Sequence, residues 1–411
     1  MRTPLFRLLL RFTTAFFVLI ALSCSSEDTD PTPDPDIGST PDPNPNPNPN
    51  PDPDPVSQND IALVDDAVAA FMQKYDVPGA AIAVSVNEKM VYTKGYGFSN
   101  TTNSTATKTD DVFRLASITK VFTSTAIWKL IDENQLSLDD KVFGPTGILG
   151  DDFGTASLTA DELNITIDHL LMNEAGGWAA SSGGDPIDYQ PQLNSDDFIE
   201  YVLNNWDLSH APGESYHYSN TGYWLLARII EKVSGQSYED YIANLISSTG
   251  ITSFKVTTYR QEDREPNEVE YYGTEADSPY IYTIASRRDG DGGGVISAPD
   301  LLRFLSAIDG FSNRQDIISP SAINLRKQVS EHQPNFGKGI GIWQSENLLF
   351  FTGSFPGTRT WFMIGENGKS AVILLNYRRT DVVDFDFELQ DLLLEMIKNN
   401  SLPWQTDLDQ F

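Results

Sequence analysis

Apolar residues at Ile61, Val64, Val68 and Phe71 recur at helical spacing until Pro78-Gly79 breaks the pattern, which predicts a helix ending near Tyr75. The pattern then shortens. Ala80–Val86 and Met90–Gly97 are brief runs rich in β-branched and aromatic side chains, and Asn87-Glu88-Lys89 between them predicts a hairpin. A second helix is predicted over Ser117–Glu133, with Val121, Ile127, Leu130 and Ile131 along one side, and a third from Asn220 through Trp224, Leu225, Ile229 and Val233 to Gly235. Gly339–Gln344, Leu348–Thr352, Thr358–Ile364 and Ala371–Asn376 follow one another closely enough to form an antiparallel meander, and a last helix is predicted over Phe385–Lys398. Strands at both ends with helices between them imply an α/β (α+β) fold: an antiparallel sheet built from both chain ends, flanked by helices, with a mainly helical lobe inserted.

The first residues do not belong to that pattern. Arg2, Arg7 and Arg11 precede an apolar stretch from Phe12 to Leu22, the layout of a secretory signal, and the stretch falls short of the ~20 residues a membrane-spanning helix needs. The one cysteine, Cys24, follows Ala21-Leu22-Ser23 and resembles a bacterial lipoprotein processing site, with Ala21 where such sites usually carry Leu. Residues 1–24 are therefore expected to be a lipoprotein signal ending at a lipidated Cys24. A lone cysteine excludes an internal disulfide, so the exported domain must be held by core packing.

Residues 25–55 are rich in Pro, Asp and Asn and nearly devoid of apolar side chains, so burial cannot offset their ordering entropy. They are expected to be a disordered tether. About 25 residues of extended proline-rich chain reach up to roughly 75 Å. Glu27, Asp28 and Asp30 just after Cys24 resemble the surface-export signal of some Gram-negative lipoproteins. A lipid-anchored location in the bacterial cell envelope, periplasmic or surface-exposed, is the expectation. Residues 56–400 form the predicted folded domain and 401–411 a polar tail.

The 411-residue chain carries a net charge of −30, and roughly −25 remains once the signal and tether are set aside. Such an acidic domain is a poor partner for nucleic acid.

Ser117-Ile118-Thr119-Lys120 places a hydroxyl and an amine on one helix face, one turn apart. A neutral lysine can take the serine proton, and desolvation or nearby positive charge makes it neutral. A serine in a first helical turn can also aim its own N–H at a developing oxyanion. Farther along, Tyr218-Ser219-Asn220 stands at the mouth of the third helix, where a phenol can relay a proton and an amide can orient substrate or amine.

The flanks make the pattern specific. Phe113-Arg114-Leu115-Ala116-Ser117-Ile118-Thr119-Lys120-Val121-Phe122-Thr123, followed by Leu136-Ser137-Leu138-Asp139-Asp140, closely resembles the nucleophile segment of the serine β-lactamase-like, penicillin-binding-protein-like family of class C β-lactamases, D,D-peptidases and esterases. Tyr218-Ser219-Asn220, between Pro212-Gly213 and Thr221-Gly222-Tyr223-Trp224, is similar to that family's Tyr-x-Asn segment. Some relatives pair Ser-x-x-Lys with Ser-Asp-Asn, so the tyrosine form points to the class C and esterase branch. Further likeness lies in Ile229–Gly235 and in Gly293-Gly294-Val295-Ile296-Ser297 before Asp300-Leu301, and it extends from about Ile61 to Asn376. The resemblance implies a sheet covered by helices on both faces plus a helical lobe, with the site between them.

It also implies a catalytic set of Ser117, Lys120 and Tyr218, with Asn220 orienting substrate or Lys120. The third family motif, usually Lys-Thr-Gly or His-Thr-Gly, falls at Phe351-Thr352-Gly353, and the basic residue is missing. Thr352 and Gly353 would still line the site, and Ser354 would supply a second oxyanion N–H. Recognition of a substrate carboxylate loses its usual cation. Arg359 could replace it, or be an exposed structural arginine. Asn173-Glu174-Ala175-Gly176-Gly177-Trp178 departs from the His-Thr-Ser-Gly of relatives, leaving Trp178 to line an acyl pocket or to pack.

Other chemistries fit poorly. No Gly-x-Ser-x-Gly elbow occurs, and His169, His210, His217 and His332 show no close ligand spacing, so neither a Ser-His-Asp hydrolase nor a metal enzyme is expected. Asp289-Gly290-Asp291-Gly292 fails the calcium-loop pattern at Gly293 and reads as a glycine-rich turn. No cofactor motif is present. The expected function is a serine hydrolase forming an acyl-enzyme on an ester, amide or lactam of a small-molecule or peptide substrate, more esterase- or peptidase-like than an efficient β-lactamase. The alternative is an inactive surface binding protein that keeps the fold.

Overall fold

The structure, a computed structural model, describes residues 60–408 apart from 180–183, 258, 274–277, 281–286, 405 and 406. The signal, Cys24 and the tether lie outside the described residues.

Helix α1 (Ala62–Tyr75) leads into the hairpin β1 (Gly79–Val86) and β2 (Lys89–Asn100), with a short β3 (Thr105–Ala106) on the outer edge. β4 (Val112–Arg114) delivers the chain to α2 (Thr119–Asp132), and then the inserted lobe begins. It contains α3 (Ile167–Leu171), the ribbon of β5 (Trp178–Ala179) and β6 (Asp207–Leu208) with α4 (Ser195–Asn205) between its strands, then α5 (Asn220–Ser234) and α6 (Tyr238–Ile246). β7 (Lys255–Val256) and β8 (Gly294–Ser297) join β4 in a small sheet, and α7 (Ala298–Leu305) and α8 (Pro320–Arg326) bring the chain back. The C-terminal part supplies β9 (Phe336–Gly337), β10 (Ile340–Trp343), β11 (Leu348–Phe355), β12 (Thr358–Gly365), β13 (Lys369–Leu375) and α9 (Val383–Lys398).

The main sheet runs β3-β2-β1-β13-β12-β11-β10-β9, so the first and last strands of the domain meet at its centre. β1 pairs antiparallel with β13, Ile82 opposite Ile373. Side chains alternate across a strand, and here both faces are covered. Ala80, Ile82, Val84, Ile373 and Leu375 join α1 and α9 in one core; Ala81, Ala83, Val372 and Leu374 join α2, α5 and α7 in the other. This explains why β1 reads as a nearly unbroken apolar run and why β12 and β13 are buried along their whole length, apolar over Trp361–Ile364 and Ala371–Leu375.

One boundary differs from expectation. The second helix does not begin at Ser117: residues 116–118 form a tight 3₁₀ turn, and regular helix starts at Thr119. Ala116 has φ of +49°, a left-handed conformation costing an alanine ~1 kcal/mol, and the bend it makes turns the chain sharply from β4 into the helix.

Candidate active site

The segment around Ser117 is pinned from two sides. Leu115 N–H donates to Gly294 O at 2.7 Å, and Thr360 Oγ1 donates to Leu115 O at 2.9 Å. Strand β11 pairs with β10 only as far as Phe350, so its last residues run past the 116–118 turn instead. A Cβ at Gly353 would lie 2.0 Å from Leu115 O and 2.3 Å from Thr360 Oγ1, which is why this position must be glycine. From Asp111 to Trp128 every residue is buried except Ser117. A serine is thus the single opening in a long buried run.

Lys120 lies one turn below, with no exposed surface. Its Nζ donates to Ser117 Oγ at 3.3 Å, Asn220 Oδ1 at 2.7 Å and the Asp291 carbonyl at 2.8 Å. The Tyr218 ring lies 4.9 Å from the same amine, and the phenol hydrogen-bonds Ser117. Burial holds that phenol well above the ordinary tyrosine value, only partly countered by the bond to Ser117, so Tyr218 is neutral near pH 7. Ser117, Lys120, Tyr218 and Asn220 therefore meet as the sequence implied. Thr352, Gly353 and Ser354 occupy the adjoining strand, with Gly353 against the turn and Thr352 and Ser354 half-buried.

Several supporting residues carried no signal in the sequence. Asp185 accepts from the N–H groups of Asn220 at 2.7 Å and Thr221 at 3.1 Å, and from the hydroxyls of Ser219 and Thr221, so it caps α5 and fixes Asn220. Asn173 Oδ1 accepts from Ser219 N–H at 3.1 Å, and Asn173 O from His217 N–H at 2.7 Å, bracing both neighbours of Tyr218. The apparent departure at Asn173 is thus a brace for the tyrosine segment. Trp178 is 2% exposed and packs within the core.

The turn read at Asp289–Gly292 also does more than reverse the chain. Its Asp291 carbonyl takes a hydrogen bond from Lys120, and its Asp291 carboxylate, fully buried, lies 3.9 Å from Lys120 Nζ and 3.0 Å from Arg288 Nη2. A hint was present in charged residues set among glycines, but spacing alone could not place them.

Phe351 is buried with its ring 6.0 Å from Phe336, so the place of the missing cation is filled by core. Arg359 is not exposed: its Nε donates to Asp386 Oδ1 at 2.6 Å and its Nη1 to Gly353 O at 3.2 Å, leaving the side chain 3% exposed. It is structural, because successive strand residues face opposite sides and this one faces α9. A guanidinium that does reach a side chain of the site strand is that of Arg378, whose Nη1 donates to Ser354 Oγ at 3.0 Å.

The Beta-lactamase family profile matches residues 64–395, most of the chain. The protein belongs to the Beta-lactamase family. It is similar to Protein flp of Staphylococcus aureus (strain MRSA252), 32% identical over 328 residues that cover 76% of this chain and 62% of that protein. Penicillin-binding protein 4* of Bacillus subtilis (strain 168) is 25% identical over 343 residues, 75% of this chain and 70% of its own. The chain spans only about 62% of the length of the Staphylococcus relatives. Among solved structures, the octameric penicillin-binding protein homologue from Pyrococcus abyssi superposes with a TM-score of 0.64 at 25% identity, covering 84% of this chain and 80% of that one. The D-amino acid amidase from Ochrobactrum anthropi SV3 does so at 0.65 and 20% identity, over 82% and 99%, a likeness of fold. The antiparallel sheet and helical lobe expected from the sequence are those of this Beta-lactamase family.

Proposed function

We propose that this family member is a serine hydrolase acting through an acyl-enzyme, with Ser117 as nucleophile. The observation that carries the reading is the exposure of Ser117 alone in a buried run, with the Lys120 amine against its hydroxyl. Ser117 Oγ attacks the carbonyl carbon while its proton passes to Lys120, and Tyr218 relays a proton to the leaving oxygen or nitrogen. The N–H groups of Ser117 and Ser354 face the oxygen as it gains charge, and water then releases the acyl group.

Phe351 in place of the basic residue favours esters and peptide-like amides over efficient β-lactam turnover. Hydrolysis of p-nitrophenyl esters, D-amino acid amides and nitrocefin, each by wild type and Ser117→Ala, tests this directly. Ester or amide turnover abolished by the substitution supports it; nitrocefin as much the fastest substrate overturns the preference. A folded protein inert to all three would favour the second reading, a surface binding protein, which the loss of the usual cation at Phe351 motivates. The sequence of residues 1–24 further supports envelope anchoring at Cys24, and loss of labelled-lipid incorporation in Cys24→Ala is the expected result.

A further inference from the structure

The reading of Lys120 as the acceptor of the Ser117 proton is the premise here. The amine is enclosed by Ser117 Oγ, Asn220 Oδ1, the Asp291 carbonyl and the rings of Tyr218 and Tyr223, the last 5.7 Å away. Past them lies a line of alternating charge. Asp291 Oδ2 is 3.9 Å from Lys120 Nζ and 3.0 Å from Arg288 Nη2, and Arg288 Nη1 is 2.6 Å from Asp188 Oδ1. The Lys120 and Asp291 side chains have no exposure, and that of Arg288 has 4%. Asp185 and the phenols of Tyr218, Tyr238 and Tyr259 also lie within electrostatic reach of Asp291.

The loop cannot relax this arrangement. Thr123 Oγ1 donates to Gly290 O at 2.6 Å, the N–H groups of Gly292 and Gly293 donate to Arg288 O at 2.9 and 2.6 Å, and a Cβ on Gly290 would lie 2.4 Å from that of Ala227. In so dry a place charges act on each other far more strongly than in water. An ionised Asp291 therefore favours the ammonium form of Lys120, which cannot accept the serine proton. Arg288 opposes that effect by drawing the same carboxylate's charge and by repelling the ammonium.

We propose that Asp291, balanced by Arg288, is a positioning residue that sets the pH at which Lys120 gives up its proton and Ser117 becomes reactive. The two partners must then act in opposite directions. Burial pushes the Asp291 carboxyl up to about 7, partly relieved by Arg288 and Lys120, so this balance shifts near neutral pH.

The test is the rate of Ser117 labelling by a fluorophosphonate from pH 5 to 10, on the full chain, with circular dichroism confirming each variant's fold. Asp291→Asn is expected to move the rising limb to lower pH by about 1 unit or more, and Arg288→Met to move it to higher pH. Arg288→Lys, which keeps the charge, should leave it nearly in place. If Asp291→Asn does not fold, Asp188→Asn reads the same line from its outer end, with a shift to lower pH as Arg288 turns wholly to Asp291. Variants that scale the rate equally at every pH, or an Arg288→Met that shifts the limb in the same direction as Asp291→Asn or Asp188→Asn, overturn this inference alone. A wild type unlabelled at every pH sinks the nucleophile reading and this inference with it.

Discussion

Lys120 is bonded to a serine hydroxyl, an amide oxygen and a backbone carbonyl at once. Its truncation in Lys120→Ala is expected to slow ester hydrolysis by roughly 10²–10⁴-fold, the usual worth of a positioned acid–base group, with KM nearly unchanged. A different outcome belongs to Arg378. Its guanidinium meets Ser354 Oγ at 3.0 Å, so Arg378→Ala should raise KM for substrates ending in a free carboxylate by about 10-fold, and leave neutral esters almost untouched. Equal effects on both would mean that Arg378 supports the strand and not the substrate. Arg359 makes the contrasting case. Breaking its buried pair with Asp386 by Arg359→Met should lower unfolding free energy by ~3 kcal/mol in urea titrations.

Elements place these residues, and they were unequally legible. The strands of the central sheet were readable because covering both faces demands apolar residues at nearly every position, as in Ala80–Val84 and Ala371–Leu375. Ser117 and Lys120 were readable because their spacing is local. Asp185, Asn173 and Asp291 were not, because each acts on a helix or turn distant in sequence and only the fold brings them together. The residual error at Ser117 has the same origin: helical periodicity cannot register the left-handed Ala116 that detaches the turn from α2. Two element-scale outcomes follow. Asp185→Ala removes the acceptor at the α5 N-terminus and should cost about 1–2 kcal/mol of stability, together with activity as Asn220 loses its register. Gly353→Ala must push β11 off Leu115 O, so ester hydrolysis should fall steeply while the far-ultraviolet circular dichroism spectrum stays close to wild type.

At the scale of the whole molecule, acidity dominates. Burial raises the carboxyls of Asp111 to about 6, Asp291 to about 7 and Asp309 to about 8. A carboxyl whose folded pKa lies above its unfolded value binds its proton more tightly in the native state, so its stabilising effect is full below pH 4 and lost as pH rises through the folded value. Self-repulsion within a chain of net charge −30 weakens the fold in the same direction. The melting temperature is therefore expected to rise as pH falls from 8.5 to 6, and Asp309→Asn should flatten the upper part of that slope. A melting temperature that climbs toward pH 8.5 would contradict the assignment. The central claim concerns Ser117, and intact mass of the protein after treatment with a fluorophosphonate, followed by peptide mapping, reads it most directly. A single adduct on Ser117, absent from Ser117→Ala, is the expected result; a folded protein with no adduct, or an adduct on any other residue, would contradict it.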